Sequence, residues 1–85
     1  MTSFAYTVND ALGIHARPAG LLVKEAMKFS CAVKMETPTK TVDAKRIMAV
    51  MGAGVKCGDT VTLSFDGADE KEAAAAIEAF FKANL

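Results

Sequence analysis

The segment GIHARPAG, residues 13–20, carries the single histidine of the chain, His15, followed closely by Arg17. An unprotonated imidazole nitrogen is a nucleophile near neutral pH, and a guanidinium binds phosphoryl oxygens through its planar fork of donors. These two residue types, two positions apart, suit the transfer of a phosphoryl group through a phosphohistidine. The ordinary alternative is that His15 caps a helix or lies at the surface, and that Arg17 pairs with a carboxylate. The spacing alone leaves both interpretations open.

The helix that follows the histidine is compatible with the first interpretation and does not decide between the two. Apolar residues recur at helical spacing from about Ala16 to Phe29, and Pro18 is tolerated in a first turn, where backbone N–H groups have no partner within the helix. The expected buried stripe contains Ala19, Leu22, Val23 and Ala26. Free amides and a helix dipole equivalent to about half a positive charge attract an anion and disfavour a charged imidazolium. His15 would be the nucleophile and Arg17 the clamp.

Other chemistries find little support in the residue types. One histidine and two distant cysteines, Cys31 and Cys57, are a poor start for a metal site. No serine lies in a nucleophile elbow, and Gly52 and Gly54 lack the lysine and hydroxyl residue of a phosphate-binding loop. Cysteines this far apart favour reduced thiols in a cytoplasmic protein over a disulfide framework. No metal and no nucleotide are therefore expected.

Composition limits the choice of partners. A chain of 85 residues with 52% hydrophobic content predicts one domain, 1–85, with a core of its own. Ten basic and ten acidic residues cancel, so the sequence offers no extended positive surface for nucleic acid or an anionic membrane. The N-terminus lacks a signal-peptide pattern, and the longest apolar run is far shorter than the ~20 residues of a membrane span. We expect a soluble, cytoplasmic protein.

Periodicity predicts seven elements in the order β-α-β-β-α-β-α. The stretches SFAYTV, CAVKME and TVTLSF alternate apolar and polar residues, as strands with one buried face do. TPTKTV predicts a turn with a short return strand, and AKRIMAVMGAG a brief second helix that ends at two glycines. This order favours an α+β fold with an antiparallel or mixed sheet and helices on one face.

The last helix has the clearest pattern. Asp69 and Glu72 resemble a capping box, in which acidic side chains accept hydrogen bonds from first-turn amides. The expected buried stripe contains Ala73, Ala76, Ile77 and Phe80, extended by Ala83 or Asn84.

The segment LGIHARPAG, residues 12–20, resembles the active-site segment of the HPr family, the histidine phosphocarriers of the bacterial phosphoenolpyruvate-dependent sugar phosphotransferase system. The resemblance continues through VKEAMKF and DAKRIMAVMGAGVKCGDTVTLSFDGADEKEA into the C-terminal helix, and so covers nearly the whole chain. It implies an open-faced β-sandwich, in which three helices cover one face of a four-stranded antiparallel sheet.

The resemblance also implies a reaction. A phosphoryl group would pass from phospho-enzyme I to Nδ1 of His15, and from there to the IIA domains of sugar-specific enzymes II. Arg17 would help to hold and release it, with Ala16 and Pro18 completing the phosphate-binding segment. Such a carrier is a covalent intermediate rather than a stand-alone enzyme, and it needs no cofactor.

A docking surface on the first two helices is implied as well. Its residues would be Ala16, Gly20, Lys24, Met27, Ile47, Met48, Met51 and Val55. The apolar second helix agrees with this, because it cannot bury every side and its flexible methionines suit repacking against several partners. Ala49 and Val50 are expected in the core. A carrier that presents one face to successive partners works most simply as a monomer.

One position departs from the family pattern, and two alternatives stay open. Many relatives have a regulatory serine directly before the residue that matches Ile47, where this chain has Arg46. Regulation by a serine kinase is therefore doubtful here, whereas the histidine relay is unaffected. The first alternative is a docking regulator without transfer, against which the presence of both His15 and Arg17 argues. The second is a carrier in a nitrogen-linked or other regulatory branch, which the sequence does not separate from a sugar carrier.

Overall fold

The computed structural model describes residues 1–85, and its seven elements follow the predicted order. The strands are β1 (Thr2–Thr7), β2 (Ala32–Glu36), β3 (Thr41–Asp43) and β4 (Thr60–Asp66), and the helices are α1 (Ala16–Ala26), α2 (Ile47–Gly52) and α3 (Glu70–Asn84). One sheet of four strands has the order β1-β4-β2-β3, and every neighbouring pair is antiparallel. The α+β, open-faced prediction is confirmed.

Alternation along the strands explains why the helices cover only one face. In β2, Val33 and Met35 are buried while their neighbours along the strand are exposed. The register places Met35 opposite Leu63 and Val33 opposite Phe65 of β4, which creates one continuous apolar face. The three helices cover this face and leave the other to serine, threonine, alanine and charged residues.

Helix α3 is rotated relative to the predicted stripe. Ala73 and Ile77 are buried as expected, but Ala74 and Phe81 complete the buried face, whereas Ala76 and Phe80 are only partly buried. Phe80 and Phe81 follow Ile77 by three and four positions, so helical spacing alone allows either one to point inward. The aromatic rings of β1 decide, because Phe81 contacts Phe4 and Tyr6 with ring centroids 6.1 and 5.4 Å apart.

The prediction that Asp69 caps α3 with its side chain is wrong. The Asp69 side chain makes no cap hydrogen bond to α3. Its carboxylate instead accepts hydrogen bonds from the backbone N–H groups of Ser30 and Cys31, each at 2.9 Å, and so ties the start of α3 to the start of β2. Glu72 is exposed.

Helix α1 is shorter than predicted. It ends at Ala26 rather than Phe29, because the N–H groups of Lys28 and Phe29 bond to carbonyls three positions back and tighten the chain into a turn. Cys31 is buried and Cys57 exposed, and both are free thiols. None of the three helices combines the length and apolarity needed to cross a bilayer.

Candidate functional site

The loop before α1 is fixed by backbone hydrogen bonds from two directions. The N–H groups of Asn9 and Asp10 donate to the backbone oxygen of Leu85 at 2.6 and 2.9 Å. The Ile14 N–H donates to the Val55 carbonyl at 3.1 Å, and Ile14 itself is buried. Hydrogen bonds to the end of α3 and to the segment after α2 therefore fix the loop that leads to His15.

Gly13 makes the close approach to that segment possible. Its φ of +68° lies in the left-handed region, which favours glycine. A Cβ at this position would lie 2.7 Å from the Lys56 Cα and closer still to the Val55 carbonyl oxygen. Any larger residue would push the loop, and with it His15, away from the core.

His15 is the N-cap residue of α1. Its backbone is extended, with φ −100° and ψ −172°, and its carbonyl accepts a hydrogen bond from the Ala19 N–H at 2.9 Å. The ring makes no cap hydrogen bond, so the imidazole is not used to complete the helix. The N–H groups of Ala16 and Arg17 have no partner within the chain. Two donors at the positive end of the helix dipole thus lie beside the ring.

A shallow cleft of about 240 Å³ brings His15 and Arg17 together. Asp10, His15, Arg17, Pro18, Leu21 and Asn84 line it. The Arg17 side chain is exposed and makes no ion pair or hydrogen bond within the chain, so its donors are available to an anion. Pro18 is buried and lines the cleft, and because it has no N–H it can contribute packing there but no backbone donor.

The imidazole faces a carboxylate across this cleft. Its Nε2 lies 3.8 Å from Oδ2 of Asp10, and the two side chains are 37% and 28% exposed. The other ring nitrogen, Nδ1, is left without a protein partner. Combined with the free amides and the guanidinium, the arrangement can accept and hold a phosphoryl group on the ring.

Most of the predicted docking residues are accessible. Ala16, Lys24, Met27, Ile47, Met48 and Met51 are exposed, and Gly20 is partly exposed. A Cβ built on Gly20 would lie 3.6 Å from the Ile47 Cδ1, so this glycine marks the contact of α1 with α2. Val55 is an exception, because the residue is only 4% exposed and packs in the core. Val50 is buried, as expected, and Ala49 is partly buried.

Sequence reasoning missed three residues of the cleft. Leu21 is 40% exposed, and its place outside the apolar stripe of α1 was a usable signal. Asp10 is of a residue type common in turns, and its carboxylate accepts a hydrogen bond from the Leu12 N–H at 2.9 Å, which gives no hint of a place beside His15. Asn84 comes from the far end of the chain, and no local pattern places it near His15.

The groups with clearly shifted pKa values lie outside the cleft that contains His15. Burial raises the pKa of the Cys31 thiol, and the nearby Asp69 carboxylate adds to this. Hydrogen bonds from the Ser30 and Cys31 amides lower the pKa of Asp69, and those from the Thr2 hydroxyl and the N-terminal ammonium lower that of Glu70. No group of three or more histidine, cysteine or acidic side chains is arranged to bind a metal ion.

A family model described as the PTS HPr component phosphorylation site matches residues 2–83. The chain belongs to the HPr family. Phosphocarrier protein HPr of Mycoplasma genitalium is 41% identical over 85 residues, which cover 99% of this chain and 97% of the relative. HPr of Lysinibacillus sphaericus is 44% identical over 73 residues, or 86% of this chain and 83% of the relative.

Solved HPr structures share the fold. A crystal structure of HPr from Thermoanaerobacter tengcongensis matches with a TM-score of 0.92 and 40% identity, over 98% of this chain and 93% of that one. The cleft described above is therefore carried by an HPr-family fold of the same element order.

Proposed function

We propose that the chain carries phosphoryl groups, taking one from phospho-enzyme I onto Nδ1 of His15 and passing it to the IIA domains of enzymes II in sugar uptake. The whole chain, 1–85, would act as one cytoplasmic carrier domain without a cofactor. In the first step the Nδ1 lone pair attacks phosphorus, and the bond from phosphorus to its donor atom on enzyme I breaks. The second step reverses this chemistry toward the next acceptor.

One observation carries the proposal. The only imidazole of the chain lies at the start of α1 beside two unbonded N–H groups, and it shares a cleft with an unpaired guanidinium. Amides at a helix start and an arginine fork are the donors that stabilise phosphoryl oxygens. First-turn amides are free in every helix, so the specific feature is the unpaired Arg17 guanidinium in the same cleft as the ring.

The apolar surface beside the cleft supports transfer between proteins. Met27, Ile47, Met48 and Met51 are 66%, 43%, 77% and 41% exposed on neighbouring faces of α1 and α2. Apolar groups exposed together commonly mark a docking surface, and methionines adapt to partners of different shape. We propose that enzyme I and the IIA domains dock here in turn, each on a monomeric carrier.

Intact-mass analysis tests the proposal. The purified protein is incubated with phosphoenolpyruvate, magnesium and enzyme I, in parallel with His15→Ala. We expect one acid-labile phosphoryl group on the native protein and none on the variant. The absence of a phosphoryl group on the native protein with several enzyme I preparations would contradict the proposal and favour a docking regulator.

Passage to a IIA domain is the second arm. The phosphorylated protein is separated from enzyme I and mixed with purified IIA domains, and the mass of each protein is followed. We expect the phosphoryl group to leave His15 and appear on at least one IIA domain. The monomer is checked on the same samples by light scattering, with and without phosphorylation.

A further inference from the structure

Hydrogen bonds fix both the backbone and the side chain of Asp10. Its N–H donates to the Leu85 oxygen and its carbonyl accepts from the Gly13 N–H, both at 2.9 Å. Its Oδ1 accepts from the Leu12 N–H, also at 2.9 Å. Backbone and side chain are thereby both fixed, and only Oδ2 remains without a backbone donor.

The remaining oxygen faces the reactive ring. Oδ2 lies 3.8 Å from Nε2 of His15, whereas Nδ1 has no protein group bonded to it. A carboxylate beside one ring nitrogen favours the tautomer in which that nitrogen carries the proton, and it stabilises positive charge on the ring. The unprotonated lone pair is then on Nδ1, the nitrogen that faces no acceptor.

We propose that Asp10 is a positioning residue, which keeps the His15 proton on Nε2 so that Nδ1 is the nucleophile. The inference rests on the proposed phosphoryl transfer. When the phosphorus–Nδ1 bond forms, Nε2 keeps its proton and the ring gains positive charge, which the Asp10 carboxylate offsets. When the phosphoryl group leaves, the bonding electrons return to Nδ1 and the ring is neutral again. No proton enters or leaves the ring in either direction.

Two variants separate this role from simple bracing of the loop. In Asp10→Asn the amide oxygen can still accept from the Leu12 N–H, which places the NH₂ group where Oδ2 faces Nε2. An NH₂ donor there favours an unprotonated Nε2 and moves the proton to Nδ1. Asp10→Ala removes both the Leu12 hydrogen bond and the carboxylate, so that no group at position 10 favours either tautomer of the ring.

The first measurement is the tautomer of His15 in the unphosphorylated protein. Ring ¹⁵N shifts and long-range proton couplings are recorded at about pH 8.5, where histidine rings are neutral. We expect the share of the Nε2–H form to fall from native protein to Asp10→Ala and further to Asp10→Asn. Equal tautomer populations in all three proteins would overturn the proposal.

The second measurement is the rate of phosphorylation by phospho-enzyme I in a single turnover. We expect Asp10→Asn to be slowest, by about tenfold, by analogy with the lower end of the loss that follows when a metal-bound histidine loses its carboxylate partner. Asp10→Ala is expected to lie between it and the native protein. The reverse order, with Asp10→Ala slowest and Asp10→Asn near native, would mean that Asp10 only braces the loop.

The two measurements also separate the proposals from each other. If enzyme I fails to phosphorylate the native protein, the proposed function fails, while the tautomer series still decides what Asp10 does to the ring. Backbone amide spectra and urea midpoints of both variants check that each has folded, because only Asp10→Ala loses the Leu12 hydrogen bond.

Discussion

The two ends of α1 use their polar groups in opposite ways. At the N-terminal end, the N–H groups of Ala16 and Arg17 are unbonded beside an exposed guanidinium. In the turn that follows the C-terminal end, the Lys45 ammonium donates to the Phe29 carbonyl at 2.7 Å, and the Asp69 carboxylate accepts from the amides of Ser30 and Cys31. The closed end holds the fold together, and the open end keeps donors available for a ligand.

The same contrast separates two carboxylates. Both oxygens of Asp69 accept backbone N–H groups, of Ser30 and Cys31, which lower its pKa because they stabilise the ionised form. Asp10 uses one oxygen for the Leu12 N–H and turns the other toward His15. The second carboxylate oxygen therefore distinguishes the two residues: in Asp69 it accepts a backbone N–H and braces the fold, and in Asp10 it faces the His15 ring.

The largest effects are expected from two glycines: Gly13, just before α1, and Gly67, in the turn between β4 and α3, which packs against Cys31. Gly13 and Gly67 have φ of +68° and +154°, and a Cβ on either would lie 2.7 Å from another backbone atom, of Lys56 or Cys31. Alanine at either position should lower the free energy of unfolding by about 1–3 kcal/mol or more, since strained backbone and a collision add. Urea unfolding measures this loss, and only Gly13→Ala should also slow phosphorylation of the folded protein.

Gly54→Ala is the matched control. Its φ of +66° equals that of Gly13 within two degrees, but nothing lies within 4 Å of a Cβ there. It should therefore show the cost of the dihedral angle without the collision, and destabilise less than Gly13→Ala. Equal losses in these two variants would mean that the approach to Val55 and Lys56 is not what fixes the loop.

The second prediction concerns the open end alone. Arg17→Ala should slow phosphorylation of His15 about a hundredfold, comparable to the loss of one preorganised donor at a developing charge. Because Arg17 makes no ion pair or hydrogen bond within the chain, the free energy of unfolding should change by no more than about 0.5 kcal/mol. Single-turnover kinetics and urea unfolding check the two halves. A large loss of stability would show that Arg17 is structural.

The third prediction concerns the closed end alone. A carboxyl with a lowered folded pKa stabilises the fold above its unfolded pKa and loses that contribution as the pH falls through the folded value. Stability should therefore decrease below about pH 4, and Asp69→Asn should be less stable at neutral pH with a shallower acid dependence. Urea midpoints across the acid range measure both effects, while phosphorylation of His15 should stay near native.

Asp66→Asn is the control for this prediction. Asp66 is an exposed aspartate at the end of β4, and its side chain makes no hydrogen bond within the chain. Its replacement should leave the acid dependence as it is in the native protein. An equally shallow dependence in both variants would point to net charge rather than to the bonds from Ser30 and Cys31.

Local signals were enough for the order of elements and for the proximity of His15 and Arg17, which line one cleft. Strand alternation and helical spacing are read within a few residues, and His15 and Arg17 lie two positions apart. The early end of α1 and the place of Leu21 are local features, whereas the other misses depend on distant contacts. Asp69 bonds to residues 38 and 39 positions away, and β1 selects Phe81 over Phe80. Asp10 and Asn84 meet at the cleft only through the tertiary fold.

The smallest effect should come from two neighbouring cations, Lys45 and Arg46. One is hydrogen-bonded within the fold, and the other is free at the surface. The Lys45 ammonium is hydrogen-bonded to the Phe29 carbonyl. The Arg46 side chain is 79% exposed beside the docking surface, and its one contact with a carboxylate is a long one, 3.9 Å from Nε to Oδ2 of Asp43. Each alanine variant removes one positive charge, so any effect of net charge is common to both. Lys45→Ala should lower the urea midpoint, because it leaves the Phe29 carbonyl without its donor, with little effect on association.

Arg46→Ala should do the reverse. We expect an unchanged midpoint, an association rate with enzyme I that is lower by a few-fold, and a weaker dependence of that rate on salt, as for a charge at the rim of an interface. Stopped-flow association at several salt concentrations measures this. Equal rates for Arg46→Ala and the native protein would restrict the docking surface to the apolar residues of α1 and α2, and Arg46 would then have no part in partner binding.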